Sequence, residues 1–361
     1  MSEPRAPDPR REGWGPIQVS GTDVPPGSRQ RVELPTARLA TGSEMSVPVE
    51  IVHGKRPGPR LWLTGAVHGD ELNGIEIIRR VLMEMKPGRL RGTVLAVPIV
   101  NVFGFITESR YLPDRRDLNR SFPGSARGSL AARLAHVLMT GVVEGCDYGI
   151  DLHTGTDART NLPQVRGDLS DPETLRLARI FGAEITIHAA LRDGSLRAAA
   201  TSRGARVLVY EGGEAGRFGR EEVDRGVEGV FRVLGALGMT GSPPSRRPHP
   251  PESVETTWTR AGRSGLFHLE VKPGELVRKG QRLGMIQDAF GERVLQVKAR
   301  SGGLVIGLTR HPLVNRGDAL VHVARILEGE PAEALAERKG SKGGKGSSGQ
   351  GDAGGDEPGD R

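Results

Sequence analysis

The sequence predicts an α/β protein, a doubly wound sheet with flanking helices, followed by a small all-β C-terminal domain. Three observations carry this. Segments of strand and helix character alternate up to about residue 240. A Pro-rich linker, TGSPPSRRPHPPE, then interrupts them. From Thr256 to Arg325 the pattern is short strands and glycine turns with no helical period. The expected organisation is therefore a disordered segment over 1–30, an α/β domain over 31–240, a linker over 241–254, a β domain over 255–330 and a disordered tail over 331–361.

Residues 1–30 are polar and rich in Pro and Gly, a composition that buries little. RVELPTARLA and MSVPVEIV alternate and predict two edge strands between Gln30 and Ile51. Leu61–Thr64 is a short apolar run, the signature of a buried central strand. Ile75, Ile78, Val81 and Leu82 have helical spacing over Gly74–Met85, and Pro87-Gly88 ends that helix. TVLAV (Thr93–Val97) is a second buried strand, and Leu130–Val143 is a helix by periodicity. Tyr148–Leu152 is a strand running into His153-Thr154-Gly155, Pro172–Phe181 a helix, Arg206–Tyr210 a strand running into Glu211-Gly212-Gly213, and Glu221–Leu237 a long helix. In the β domain, Leu276-Val277, Gly280 and Leu283 recur 37 positions later as Leu313-Val314, Gly317 and Leu320. Two copies of one hairpin-like unit predict a pseudo-symmetric barrel or sandwich that resembles the biotinyl/lipoyl carrier fold. Such carriers hold a modified lysine in the turn between the halves. Here that turn, Met285 to Phe290, has no lysine, which argues for a structural cap on the active site rather than a swinging arm.

Composition excludes several classes. The 361 residues suffice for two domains with a core. A single cysteine, Cys146, allows no disulfide within the chain. No apolar run reaches the 18 residues or so of a membrane span, and the charged, Pro-rich start does not resemble a signal peptide, so a soluble cytoplasmic protein is expected. The net charge of +7 is carried almost wholly by scattered Arg, and aromatics are 4% of the chain, which argues against a nucleic-acid surface. The expected partner is a small molecule, with no membrane and no nucleic acid. A homo-oligomer stays open.

The chemistry sits where strands end, the position open α/β sheets use for ligands. His68 and Glu71 follow the first central strand, His153 follows YGIDL, and Glu211 follows RVLVY. A lone His in a turn is ordinarily a polar loop residue, and Asp151 or Glu211 alone could cap a turn. Arg110, Arg115, Arg116 and Arg120 could form a solvated basic loop. Their co-occurrence beside glycines, where local propensity is sacrificed, marks function. Two imidazoles and one carboxylate match a catalytic zinc ligand set with one position left for water. A second carboxylate is then needed to move protons, and no HExxH helix competes for that role. An arginine suits both a developing oxyanion and a substrate carboxylate. No GxSxG elbow occurs, which argues against a serine hydrolase.

His68-x-x-Glu71, Asp117-Leu118-Asn119-Arg120 and Asp151-Leu152-His153-Thr154 together resemble the succinylglutamate desuccinylase/aspartoacylase family, relatives of the zinc carboxypeptidases. The resemblance spans about residues 35–330. It implies a zinc-carboxypeptidase-like mixed sheet and one zinc ion held by His68, Glu71 and His153. It implies Glu211 as general base and acid, with Glu214 in the same turn as its rival. Arg110 would stabilise the oxyanion, a role Arg115 or Arg116 could also fill, and Asn119 with Arg120 would bind a substrate carboxylate. Asp70 and Asp151 are candidates for orienting a ligand imidazole. The implied reaction is hydrolysis of an N-acyl amino acid or related small amine, by a water that Glu211 deprotonates. Cleavage of peptides, and a silent binding protein on the same fold, are the alternatives. The remaining histidines (53, 136, 188, 249, 268, 311 and 322) match no motif and read as surface or packing residues.

Overall fold

The computed structural model describes residues 14–38, 42, 44–241 and 249–326, so the predicted tail, half of the predicted linker and residues 1–13 of the predicted disordered segment lie outside the described residues. The chain forms two compact units. It passes between them at His153/Thr154, Ala190/Leu191, Val209/Tyr210, Ala215/Gly216 and again within the linker.

The first unit is built on a mixed sheet. Strands β3 (Ser28–Arg38), β4 (Glu44–His53), β5 (Arg56–Gly65), β6 (Arg91–Val97) and β7 (Tyr148–Gly155) lie in the order β3-β4-β6-β5-β7, with the first half of β10 (Arg206–Glu214) beside β7. β5 pairs parallel with both β6 and β7, whereas β4 runs antiparallel to β6 and β3 antiparallel to β4. The two predicted edge strands are thus one hairpin on the antiparallel side. The central run is apolar because both faces of β5 are covered. Leu61, Trp62 and Leu63 are fully buried, each worth about 1.5–3 kcal/mol relative to an exposed position.

Helix α1 (Asn73–Glu84) buries Gly74, Ile77, Ile78 and Val81. The stripe is rotated from the predicted one, with Ile75 and Leu82 only half-buried. It packs with the long helix α6 (Arg220–Ala236), which buries Val223, Val227, Val230 and Val233. Helix α3 (Leu130–Leu138) is shorter than its periodicity suggests, because Met139–Val143 continues as a π turn. Two short helices, α2 (Val102–Ile106) and α5 (Leu196–Thr201), sit in stretches that carry no helical period. The expectation of a disordered segment up to residue 30 fails from residue 14 onward. β1 (Ile17–Val19) and β2 (Thr22–Val24) form a hairpin whose Ile17, Val19 and Val24 join the core, and the Trp14 indole packs against His53 with the rings tilted by 36°. Three apolar residues anchor this segment although its mean composition is polar.

The second unit is mainly β. β8 (Arg159–Gly167) pairs antiparallel with β17 (Gly303–Thr309) through its first half and parallel with β9 (Ile185–His188) through its second. β19 (Ala319–Ala324) follows β17, and β12 (Thr256–Arg260) follows β19. Helix α4 (Pro172–Phe181) begins on an Asp171 cap and ends on left-handed Gly182. The internal repeat is visible as β13 (Gly265–Leu269), β14 (Leu276–Val277) and β15 (Arg282–Gln287), followed by β17, β18 (Leu313–Val314) and β19. The copies exchange their short strands: β14 pairs β17 and β18 pairs β13. β13, β15, β16 (Val294–Lys298) and β18 form a separate four-stranded sheet. One cluster containing Phe267, Leu283, Ile286, Val305 and Val321 fills the centre of this region. No helix among the described residues is long and apolar enough to cross a membrane.

His322 on β19 is a packing residue, as expected. Its ring stacks on Trp258 at 4.4 Å, and its buried Nδ1 has no hydrogen-bond partner among the described residues. Burial, then the guanidiniums of Arg166 and Arg159, hold its pKa well below the ordinary 6.5. Above that pH the ring is neutral folded or unfolded. Below it the unfolded chain takes up a proton that the folded chain refuses, so stability falls by up to about 1.4 kcal/mol per pH unit until the folded value is reached. His322→Phe keeps a ring against Trp258 and removes this loss. Denaturant unfolding at pH 7.5 and pH 5 is expected to give a smaller stability difference for the variant than for the parent.

Candidate metal centre

The turn after β5 is held in place by backbone. Gly65 and Ala66 carbonyls accept the N–H groups of Val100 and Asn101, which follow β6. Ala66 has a left-handed φ of 46°, a conformation that costs a non-glycine residue about 1 kcal/mol or more. Gly69 cannot be replaced without movement, because a Cβ there would lie 1.9 Å from the carbonyl carbon of Gly104 in α2. Its N–H also donates to the Ser109 carbonyl at 3.1 Å. The turn is thus clamped to the loop that carries Arg110, and His68 and Glu71 project from it just before α1 begins.

His153 comes from β7, paired alongside β5. It lies inside the strand rather than after it, since β7 continues to Gly155, and Glu211 likewise lies inside β10. His68, Glu71 and His153 are all buried and offer one ligand atom each, within 4.8 Å of one another. Among the described residues no other such group of His, Cys, Asp and Glu occurs. Glu71 stands between the two rings: Oε1 lies 2.6 Å from His68 Nδ1 and Oε2 2.8 Å from His153 Nδ1. Each imidazole has a carboxylate behind its other nitrogen. His153 Nε2 is hydrogen-bonded to Asp151 Oδ2 at 2.8 Å, whereas His68 Nε2 lies 3.4 Å from Asp117 Oδ1, an ion-pair distance without a hydrogen bond among the described residues. Asp151 in turn accepts the Thr64 hydroxyl at 2.7 Å. Carboxylates in that place fix a metal-binding imidazole in its Nε2–H tautomer and aim Nδ1 at the ion.

The charge count fits a divalent cation. Glu71, Asp117 and Asp151 face one guanidinium, Arg110, so with neutral rings the site lacks two positive charges. Burial alone would lower both histidines, but Glu71 for His68, and Asp151 and Glu71 for His153, outweigh it and raise both rings above their ordinary range. Burial would likewise raise Glu71, yet the two rings hold its carboxyl far below the carboxylate range. A divalent ion held by His68, Glu71 and His153 would supply the missing positive charge.

Asp117 is the residue with no role assigned from the sequence that the structure places at the centre of the site. Burial notwithstanding, contacts with His68 and Arg110 hold its carboxyl well below the usual range. Its Oδ2 accepts from Arg110 Nη2 at 2.8 Å and Nε at 3.2 Å, so two donors of one guanidinium converge on a single carboxylate oxygen. Its Oδ1 caps the Asn119 N–H at 2.7 Å. The only signal in the sequence was its place at the head of the DLNR segment. Arg110 is brought to the triad: its Nη1 is 3.3 Å from His68 Nδ1 and 3.7 Å from Glu71 Oε1. Arg115 and Arg116 are exposed, Arg116 beside Asp114 at 3.8 Å. Asn119 accepts the Leu196 N–H, at the start of α5, on its Oδ1 at 2.9 Å. That fixes the amide orientation and leaves its NH₂ as the group suited to a carboxylate. Arg120 donates to the Asn119 carbonyl at 2.7 Å.

Glu211 belongs to the second unit, half-buried, with Asn161 Nδ2 donating to its Oε2 at 2.9 Å. Glu214 is half-buried at the end of β10. Asp70 packs a buried carboxylate oxygen beside the ligands. His53 is a packing residue, bonded to Thr93 Oγ1 and the Gly15 carbonyl. Cys146 is buried, which pushes its thiol up to about 12 and leaves it inert.

Replacing Asp117 or Asp151 by Asn removes the charge behind one ligand while keeping its shape. Each is expected to weaken zinc binding about 10- to 100-fold, read by competition with a chromogenic chelator. Arg116→Ala is expected to leave affinity unchanged.

Residues 57–237 match the succinylglutamate desuccinylase/aspartoacylase catalytic domain. The chain is 28% identical over 300 residues to the N-alpha-acetyl-L-2,4-diaminobutyric acid deacetylase of Halomonas elongata, covering 78% of this chain and 86% of that protein. The crystal structure of a succinylglutamate desuccinylase/aspartoacylase from Rhodobacter sphaeroides superposes with a TM-score of 0.76 at 28% identity, covering 83% of this chain and 96% of that one. The product-bound ectoine utilization protein EutE (DoeB) of Ruegeria pomeroyi shares the fold, with a TM-score of 0.77 at 22% identity over 86% of this chain and 99% of that one. The chain belongs to the succinylglutamate desuccinylase/aspartoacylase family.

Proposed function

We propose that this protein is a zinc-dependent deacylase that hydrolyses the amide of a small N-acylated amino acid. The observation that carries the reading is the arrangement of His68 and His153, both Nδ1 atoms on Glu71 and a carboxylate behind each ring. A structural zinc site would have four protein ligands; this one offers three. When bound, zinc supplies Lewis acidity, which polarises a carbonyl and makes water acidic near neutral pH.

The protein groups divide the remaining work. His68, Glu71 and His153 hold the ion, and Asp117 and Asp151 keep the two rings in the productive tautomer. Glu211 takes the proton of the attacking water and returns it to the departing amine nitrogen, so its carboxylate ends the cycle as it began. Arg110 is fixed by Asp117 with its Nη1 toward the triad, suited to the negative charge that grows on the carbonyl oxygen. The Asn119 amide and the Arg120 guanidinium bind the substrate carboxylate. The resemblance to the Halomonas elongata deacetylase supports an N-acetylated diamino acid as the first substrate to try.

Zinc-loaded protein is to be assayed against Nα-acetyl-2,4-diaminobutyrate, N-acetyl and N-succinyl amino acids, and a peptide panel. Turnover of acylated amino acids is expected. Cleavage of peptides alone overturns the reading. Glu211→Gln is expected to lower kcat by about 10²–10⁴ with zinc still bound. Arg110→Ala is expected to cost about 10²–10³ in kcat, whereas Arg115→Ala costs little.

A further inference from the structure

A line of residues crosses the sheet of the second unit and ends at Glu211. Trp258 on β12 is opposite His322 on β19. His322 is opposite Gly307 on β17, and Gly307 is opposite Asn161 on β8. β10, which carries Glu211, follows β8 on its other side. Residues directly opposite one another across strands share a face and pack as neighbours. The Trp258 and His322 rings do so, lying nearly parallel at 11°.

Gly307 interrupts this line of side chains. A Cβ on Gly307 would lie 2.8 Å from Asn161 Oδ1 and 3.6 Å from His322 Cβ. Gly307 thus leaves the space that the Asn161 amide occupies. With Oδ1 over Gly307, Nδ2 turns the other way and donates to Glu211 Oε2 at 2.9 Å. The chemistry admits only this orientation, because an ionised carboxylate accepts and cannot donate. Glutamate has three side-chain torsions, and a proton-transfer group works only when held in hydrogen-bond reach of its target.

We infer that Asn161 is a positioning residue for the deacylase reaction: it holds the Glu211 carboxylate in its working rotamer, and Gly307 is glycine to admit it. The inference rests on the proposed role of Glu211 as general base. Asn161 touches neither water nor substrate in this scheme and acts only through Glu211. Its loss therefore lowers the rate of the chemical step and leaves binding of substrate and of zinc intact.

The test uses full-length, zinc-loaded protein and four variants: Asn161→Leu and Asn161→Asp, both close in shape and lacking the amide donor, Glu211→Gln, and the Asn161→Leu/Glu211→Gln double variant. Each Asn161 variant is expected to lose about ten- to a hundredfold in kcat, with KM within about twofold, zinc content unchanged and Tm close to the parent. A crystal structure of Asn161→Leu is expected to show the Glu211 side chain displaced or spread over several rotamers. In the double variant the loss is expected to equal that of Glu211→Gln alone, because a positioning residue has nothing left to position. Unchanged kcat in both Asn161 variants overturns the inference. So does a fall in Tm and zinc content with a parallel rise in KM, or multiplication of the two losses in the double variant. Glu211→Gln with parental kcat overturns the base assignment itself, and Asn161's role with it, by a result that the Asn161 variants alone do not produce.

Discussion

The site depends on one carboxylate held between two imidazoles. Glu71 is buried, and a lone buried carboxylate would be driven to protonate or would destabilise the fold by several kcal/mol. It stays charged because a positive group stands on either side of it, ring protons or a divalent ion. Each of those rings needs its own counter-charge, which Asp117 and Asp151 supply. The polar cluster is stable as a whole and costly in part, so removing any one member leaves another buried charge without compensation. That condition dictates the local architecture. The turn after β5 accepts left-handed Ala66 and a glycine pressed against α2, and β7 buries three polar side chains, Asp151, His153 and Thr154.

Asp117 links this cluster to the surrounding loop. One oxygen pair serves the ring of His68, the fork of Arg110 and the backbone of Asn119. Asn119 then ties to the start of α5 through Leu196. The segment DLNR is therefore a mechanical unit in which the His68 ring, the Arg110 guanidinium and the Asn119 backbone are placed relative to one another by a single aspartate. Its compactness explains how a loop can present several polar groups with the precision usually supplied by strands and helices.

Much of this was legible in the sequence, and the reasons differ by element. Leu61–Thr64 and Thr93–Val97 read clearly because a strand covered on both faces is continuously apolar. The 37-residue repeat read clearly because each copy keeps the same hydrophobic and glycine positions. β8 was not legible: its two halves pair with different partners, so RTNLPQVRG shows no alternation and contains Pro163. α5 is six residues long, too short for a period, and the hairpin around Gln18 hid within a polar composition. His68, Glu71 and His153 were legible through spacing and resemblance. Asp117 behind His68, and Asn161 beside Glu211, were not, because both contacts join residues far apart in the chain through their final side-chain atoms. Such residues have no local signature, and only the folded geometry reveals them.

The proposed amide hydrolysis depends on one divalent ion at His68, Glu71 and His153. The most direct measurement is a titration of zinc into chelator-treated protein, with binding and N-acyl amino acid hydrolysis followed together. Activity that is absent at the start and rises in proportion to bound zinc, levelling off at one equivalent per chain, is the predicted result. Full turnover in the chelator-treated protein, or stoichiometric zinc binding that restores none, would contradict it.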